Sequence, residues 1–470
     1  MSAPDSAAEP TGVFRTILQS FRGEHHDYTA APLQRAVILL AVPMVLEMVM
    51  ESLFAVVDIF WVSHLGARAI AAVGLTESVM SLIYALAIGI SIAATAIVAR
   101  RIGEKAPAEA ARAAGQIILL ALACAGAIGL ALAFAAPHIL GLMGADAPTT
   151  AIGGSFARIM LGGNVTVFLI FVINAIFRGV GDPVLAMRTL WLANGLNLIL
   201  DPCFIFGWGP FPELGLAGAA VATNCGRALG VLYQLWHLTG THGRLRLHLA
   251  HFRPDAKLLR TILGTARNGI AQLLINTTSW IGLFKILAYF GSSALAGYTI
   301  AIRVVIFALM PAWGLANAGA TLVGQNLGAQ KPDRAEAAVR LAARFNMIFL
   351  GATGLLFVLA ASFIARLFTT DPDVLRYATR ALWIVSLGFP FYAAGMCFEA
   401  AFNGAGDTWT PTRLNFFFFW LGQVPLAWIL ARPLGLGPLG VFIAVPVSFS
   451  ALALTTWLLF RRGHWKRQKV

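Results

Sequence analysis

Charge is scarce in this sequence. Of 470 residues only 12% are Asp, Glu, Lys or Arg, against 59% hydrophobic. A water-exposed surface needs about twice that share of charge, so a soluble multi-domain protein is excluded. Cysteine is scarce as well. Cys124, Cys203, Cys225 and Cys397 are scattered, with no CxxC spacing and no clustered histidines. That excludes a disulfide framework and a zinc site and leaves four small side chains for helix packing. The first 35 residues, with Pro4, Pro10 and Gly23, have no apolar run. A cytoplasmic tail with a short surface helix around Val13–Phe21 is expected there, and no signal peptide. The chain also lacks a DDxxD-like run and a His/Asp set on a loop, which disfavours a polytopic membrane prenyl or glycosyl transferase. A channel is disfavoured by the lack of a re-entrant filter sequence. No enzyme is expected.

Long apolar runs, by contrast, are abundant. Stretches of 20 or more residues recur from about residue 36 to residue 460. Each is long enough to cross the roughly 30 Å hydrocarbon layer as a helix, which satisfies its own backbone where lipid cannot. They are too long and too uniformly apolar for barrel strands. Eleven loop-like breaks, among them Gly66–Arg68, Arg100–Pro107, Pro137–Pro148, Arg178–Pro183 and Gly207–Gly215, divide the chain into twelve transmembrane helices. The fold class expected is an all-α membrane protein. The net charge of +13 sits in alternate loops and at the ends, for example Arg100, Arg101 and Lys105, Arg244 to Arg267, and Arg461 to Lys469. This placement is a topology signal rather than a nucleic-acid footprint, and it puts both termini in the cytoplasm.

The chain resembles itself at an offset of 225 residues. Val98, Gly103 and Pro107 answer to Val323, Gly328 and Pro332. Asp146 answers to Asp371, and the run Phe177 to Asp182 (FRGVGD) to Phe402 to Asp407 (FNGAGD). These glycine turns have no preceding strand and no third glycine, so they are helix-to-helix turns and not dinucleotide loops. A register held across six helices implies duplication. The expected layout is a tail at 1–35, an N-lobe at 36–239, a cytoplasmic loop at 240–257, a C-lobe at 258–461 and a basic tail at 462–470. Six helices per half make the halves parallel repeats about an axis along the membrane normal, with a central cleft as the substrate path.

Carboxylates inside spans cost about 2.5–3.5 kcal/mol each at the bilayer centre, so each needs a reason. Glu47, Glu51 and Asp58 fall on one face of the first span, one turn after Pro43, a kink site. Asn194, Asn197 and Asp201 share one face of the fifth. Asp58 and Asp201 lie about five residues from the outer ends of their helices, some 8–10 Å deep at about 1.5 Å per residue, and Asn164 falls near that level. A carboxylate pair with amide and hydroxyl neighbours can hold a proton or form an oxygen cage for Na⁺. The second half does not copy it: Leu283 and Leu426 stand at the matching positions. Lys285 and Arg303 are read as members of structural ion pairs. Glu399, aligned with Asn174, is placed at the cytoplasmic mouth. Glu77 is read as packing or function alike, and Phe416–Trp420 as lipid contact.

Several motifs together resemble the multidrug and toxic compound extrusion (MATE) family over essentially all twelve spans. They are Pro43…Asp58…Trp61-Val62…Leu65-Gly66…Ala71-Ala72-Val73-Gly74, Arg178-Gly179-Val180-Gly181-Asp182, Asn197…Asp201-Pro202, Val323-Gly324-Gln325-Asn326-Leu327-Gly328-Ala329 and Phe402 to Asp407. The resemblance implies an antiporter in a bacterial inner membrane that exports cationic or amphipathic drug-like molecules in exchange for H⁺ or Na⁺ by rocking two six-helix lobes. It implies an ion site at Asp58, Asn174, Asn197, Asp201 and Thr223, with Na⁺, if that is the ion, at Asp58, Asn197 and Asp201. Glu47, Glu51, Glu399 and Asn164 are further cavity candidates. Glu51 departs from the family pattern, where an uncharged polar residue such as Gln is usual, and this bears on ion preference. No cofactor beyond the coupling ion is expected, and the partners expected are small molecules and lipid around a monomer. The competing reading within the superfamily is a lipid-linked precursor flippase, which would show extra spans and a cationic cavity.

Overall fold

The computed structural model describes residues 12–23, 26–240 and 243–468. Pro4, Pro10 and Lys469 lie outside the described residues. Among those described, all regular structure is helical. A short helix α1 (Val13–Gln19) leads into α2 (Leu33–Ser63), α3 (Ala67–Gly103), α4 (Pro107–Leu142), α5 (Ala147–Gly162), α6 (Val165–Val180), α7 (Pro183–Phe206) and α8 (Leu216–Thr239). The second half repeats the series as α9 (Ala256–Ala288), α10 (Ser292–Gly328), α11 (Pro332–Arg366), α12 (Pro372–Ser386), α13 (Phe389–Ala405), α14 (Trp409–Asn415), α15 (Val424–Ala431) and α16 (Pro438–Arg462). A π-helical stretch, Phe416–Gln423, joins α14 to α15.

Ten helical stretches are long and apolar enough to cross a membrane, and the bent pair α12/α13 makes an eleventh. The twelfth expected span is α8, with 24 residues. Asn224, Arg227 and Gln234 lower its apolar content, and all three face protein rather than the outside. Each half breaks its fourth span at the same place, Gly163-Asn164 in the first and Leu387-Gly388 in the second, where α12 and α13 meet at 54°. One expected loop is corrected. Pro137 lies inside α4, which continues to Leu142, so the loop is only residues 143–146.

The repeat persists in backbone detail. Lys105 and Gln330, both with φ of 57°, occupy the same loop position in the two halves. Gly181 (φ 86°) and Gly406 (φ 90°) end α6 and α13 in the left-handed region, where a side chain would be strained. Asp146 and Asp371 cap α5 and α12 through backbone N–H bonds of 2.9 Å from Thr149 and Asp373.

The first helix of each half crosses into the other half's core. Val37 and Ala41 of α2 pack in one cluster with Ala316 and Leu322. Their counterparts Ile262 and Ala266 of α9 pack among the residues of the first half. Glycines set the closeness of this seam. A Cβ on Gly89 would lie 2.6 Å from the Ile270 nitrogen, and one on Gly314 would lie 2.5 Å from the Met44 oxygen. Further along, a Cβ on Gly328 would meet the Arg100 carbonyl, and one on Gly324 would lie 2.6 Å from Ala99. Gln468, the last described residue, and the segment just before α2 lie at this end, the terminal end. Arg100 bonds the carbonyl of Gln468, and Arg334 bonds that of Tyr28 at 3.2 Å. Toward the opposite, far end, Gly66, Gly74 and Gly291 have open space around them. The halves are thus closely joined at the terminal end.

Candidate functional site

The polar centre of the first half is built on the α7/α8 pair. Gly226 brings these helices together, since a Cβ there would lie 2.6 Å from the Ala193 carbonyl. Asn197 Nδ2 then reaches both Asp201 Oδ1 and Thr223 Oγ1, each at 3.1 Å. Asp201, Asn197 and Thr223 are all buried. Asn197 Oδ1 and Asp201 Oδ2 find no donor among the described residues. Asp58, half-buried on α2, makes no hydrogen bond to them among the described residues, but α2 packs against α7 and the Asp58 charge acts on Asp201. Three of the five residues expected from the resemblance are therefore hydrogen-bonded together, with Asp58 on the neighbouring helix. Asn194, one turn from Asn197, is buried beside them with its amide unpartnered.

Asn174, the fifth, does not join them. It belongs to a second buried cluster nearer the terminal end, where Arg178 Nη1 lies 2.6 Å from Glu47 Oε1. Asn174 Nδ2 donates to the same oxygen at 3.1 Å, and Gln234 Nε2 donates to Asn174 Oδ1 at 2.7 Å. Glu47 precedes Asp58 by eleven residues on one helix, about 16 Å at 1.5 Å per residue, which separates the two clusters. Glu47 is therefore a paired acid and not an open cavity residue. Asn164 stays at the α5/α6 break, where its Nδ2 bonds the Leu161 carbonyl at 2.8 Å. Glu399 lies on α13 of the second half, its buried Oε1 without a hydrogen-bond partner among the described residues. Lys285 and Arg303 are exposed and form no ion pair among the described residues, which corrects the structural pairing expected of them. Of the aromatic run, Phe416, Phe417 and Trp420 are exposed, while Phe419 is buried.

The two matched stretches of the MatE family model, residues 43–203 and 269–429, fall at corresponding places in the two halves. This chain belongs to the MatE family. A similar protein of Thermotoga maritima, called probable multidrug resistance protein NorM, is 27% identical over 442 residues, covering 93% of this chain and 94% of that one. A Shewanella oneidensis protein called FAD transporter is 26% identical over 446 residues, 93% of this chain and 97% of that one. Among solved structures, the outward-facing conformation of a multidrug resistance MATE family transporter superposes with a TM-score of 0.88 at 27% identity, covering 94% of this chain and 98% of that one. Family membership and the apolar helices make this a multi-pass membrane protein, in a family of transporters.

In this MatE chain the sequence reading passed over Arg227. It stands one helical turn from Thr223 on α8 and is 6% exposed. Its Nη2 donates to the Tyr84 hydroxyl at 2.9 Å, and its guanidinium lies 5.6 Å from the Phe54 ring and 5.9 Å from the Tyr84 ring. The charges of Glu51, Glu77 and Asp58 all act on it. The available signal was a charge in mid-span, four residues from Thr223, the same cost that drew attention to the acids. Glu77 is exposed on α3 and yet acts on Asp58 and Arg227, so it faces this group.

Proposed function

We propose that the protein is a secondary active antiporter of a bacterial inner membrane. It exports cationic or amphipathic drug-like molecules in exchange for H⁺ or Na⁺, by alternating access of its two lobes. The observation that carries this reading is the Asp58, Asn197, Asp201, Thr223 group. It is an acid pair within a lipid-spanning bundle, with two buried acceptor oxygens left free. An unpaired carboxylate in that setting must either take up a proton or accept a cation, and the same oxygens suit both. The names of the multidrug resistance relatives support drug-like cargo.

In this reading the terminal end is cytoplasmic, with tails at 1–35 and 462–470. The lobes span 36–239 and 258–461, joined by the loop at 240–257, and the chain acts as a monomer without nucleic acid. The present conformation, joined at the terminal end, then exposes the acids to the outside. An ion entering from there binds at Asp58 and Asp201, with Asn197 and Thr223 orienting the carboxylate, and favours drug release. In the opposite state the ion leaves to the cytoplasm and drug is taken up. Coupling requires only that ion and drug prefer different states. The test is uptake of a cationic dye into inside-out proteoliposomes under a pH gradient alone and then a Na⁺ gradient alone. Movement under one gradient, lost in Asp58→Asn, is the expected result. No movement under either, with intact protein and several dyes, would overturn antiport and favour the lipid-linked precursor flippase.

A further inference from the structure

Three acids of the first lobe share helix faces with the rings that meet Arg227: Glu51 and Asp58 lie three residues before and four after Phe54 on α2, and Glu77 lies seven residues before Tyr84 on α3. Arg227 is more than nine-tenths buried, yet no carboxylate oxygen comes within 4.0 Å of it among the described residues. One guanidinium nitrogen is tied to the Tyr84 hydroxyl. The other, Nη1, is buried and unpartnered. The guanidinium lies 5.6 Å from the Phe54 ring and 5.9 Å from the Tyr84 ring, and Phe171 packs edge-on against Tyr84 at 5.7 Å. An arginine that only neutralised these acids would close onto one of them, because unpaired burial is costly. Here it is held back by a neutral hydroxyl and two aromatic faces, within the field of three carboxylates but in contact with none.

We propose that Arg227 is a tethered internal cation that sets the valence of the molecule the first lobe accepts, cancelling one carboxylate so that singly charged organic cations are preferred to doubly charged ones. This rests on the drug-export reading and deepens it. The charged and titratable groups around Arg227 are Glu51 and Asp58 from α2, and Glu77 and Tyr84 from α3. The charge of Asp58 in turn acts on Asp201 of α7. Aromatic faces beside a partly neutralised acid cluster suit a flat, delocalised cation. Anchoring by Tyr84 keeps the acids open, and if the anchor is lost Arg227 can turn onto them and compete with cargo.

The test is equilibrium binding of ethidium and propidium to the purified full chain in nanodiscs. The two dyes share a ring system and differ by one positive charge. Arg227→Gln is expected to raise the affinity for propidium relative to ethidium by about tenfold, the scale of one unit charge near 10 Å at an effective dielectric of about 20. Arg227→Lys, which keeps the charge, is expected to keep the wild-type ratio, an outcome a purely structural role would not produce. An unchanged ratio in a folded Arg227→Gln protein, or an equal shift in Arg227→Lys, overturns the proposal and leaves export intact. If Arg227→Gln does not fold, Tyr84→Phe decides. Both dyes are expected to weaken together as the freed guanidinium occupies the acids, and unchanged affinities overturn the role. Failure of the wild type to bind either dye would overturn the cationic-cargo reading together with this proposal.

Discussion

The two lobes share a backbone plan and differ in what fills it. At the positions of Asp58, Asp201 and Arg227 the second lobe carries Leu283, Leu426 and Leu452. Where the first lobe has Asn194 and Asn224, the second has Phe419 and Phe449, packed with ring centroids 4.7 Å apart, and Tyr392 stacks on Phe449 at 4.0 Å. Tyr298 stacks on Phe442 at the place of Val73 and Ala217. One lobe is therefore cemented with aromatic rings, while the other spends the same volume on acids, amides and a guanidinium. Rings tolerate burial without partners, whereas the polar groups are worth burying only if something binds them. Under the proposed function, the contrast leaves ion chemistry to the first lobe and rigidity to the second.

Swapping residues between the lobes puts that assignment at risk. The largest effect is expected from Asp201→Leu, which gives the first lobe the residue of the second. Ion-driven dye transport in proteoliposomes should fall to background while thermal stability rises, since a desolvated acid is replaced by an apolar side chain. Retained transport would move the ion site elsewhere. Next comes the buried pair of Glu47 and Arg178, whose counterparts are Gln272 and Asn403. Glu47→Gln alone strands a buried guanidinium and should cost about 3–5 kcal/mol in thermal unfolding. Glu47→Gln with Arg178→Asn installs the second lobe's pair and should recover most of that loss. The smallest effect is expected where the lobes agree, at the helix caps. Asp146→Ala and Asp371→Ala should lower thermal stability slightly and about equally. Hydrogen bonds from the Thr149 hydroxyl and backbone hold the Asp146 carboxyl below its ordinary value of 3.8. Its contribution is therefore present at neutral pH and fades only as pH falls below that value, which melting of Asp146→Ala against wild type across acid pH would read.

The twelve spans and the duplication could be read from sequence because both leave one-dimensional traces: apolar runs between loops, and glycine turns at a fixed offset. The grouping of Asn197 with Asp201 could be read for a similar reason, being four residues apart on one helix. Thr223 came through resemblance, and its hydrogen bond to Asn197 gives it a place. What could not be read depends on how helices turn toward one another. Asn174 has the spacing of a site residue, yet α6 presents it, with Arg178, to Glu47 on α2 and Gln234 on α8. Pro137 looked like a loop, but α4 carries it inside the helix, where Ala133 and Leu140 flank it on the same helical run. Lys285 and Arg303 suggested partners that neither helix face supplies.

The crossed packing of α2 and α9 has a historical reading. Val45 meets Gly314 as Ile270 meets Gly89, so each half offers the other the same surface it receives. Such a reciprocal contact is how a homodimer recognises itself when its subunits exchange their first helices. The seam keeps that two-fold symmetry, while the Asp58, Asn197, Asp201 and Thr223 group stands in one copy alone. Each lobe therefore depends on a helix owned by its sibling, and neither can tilt without carrying part of the other along.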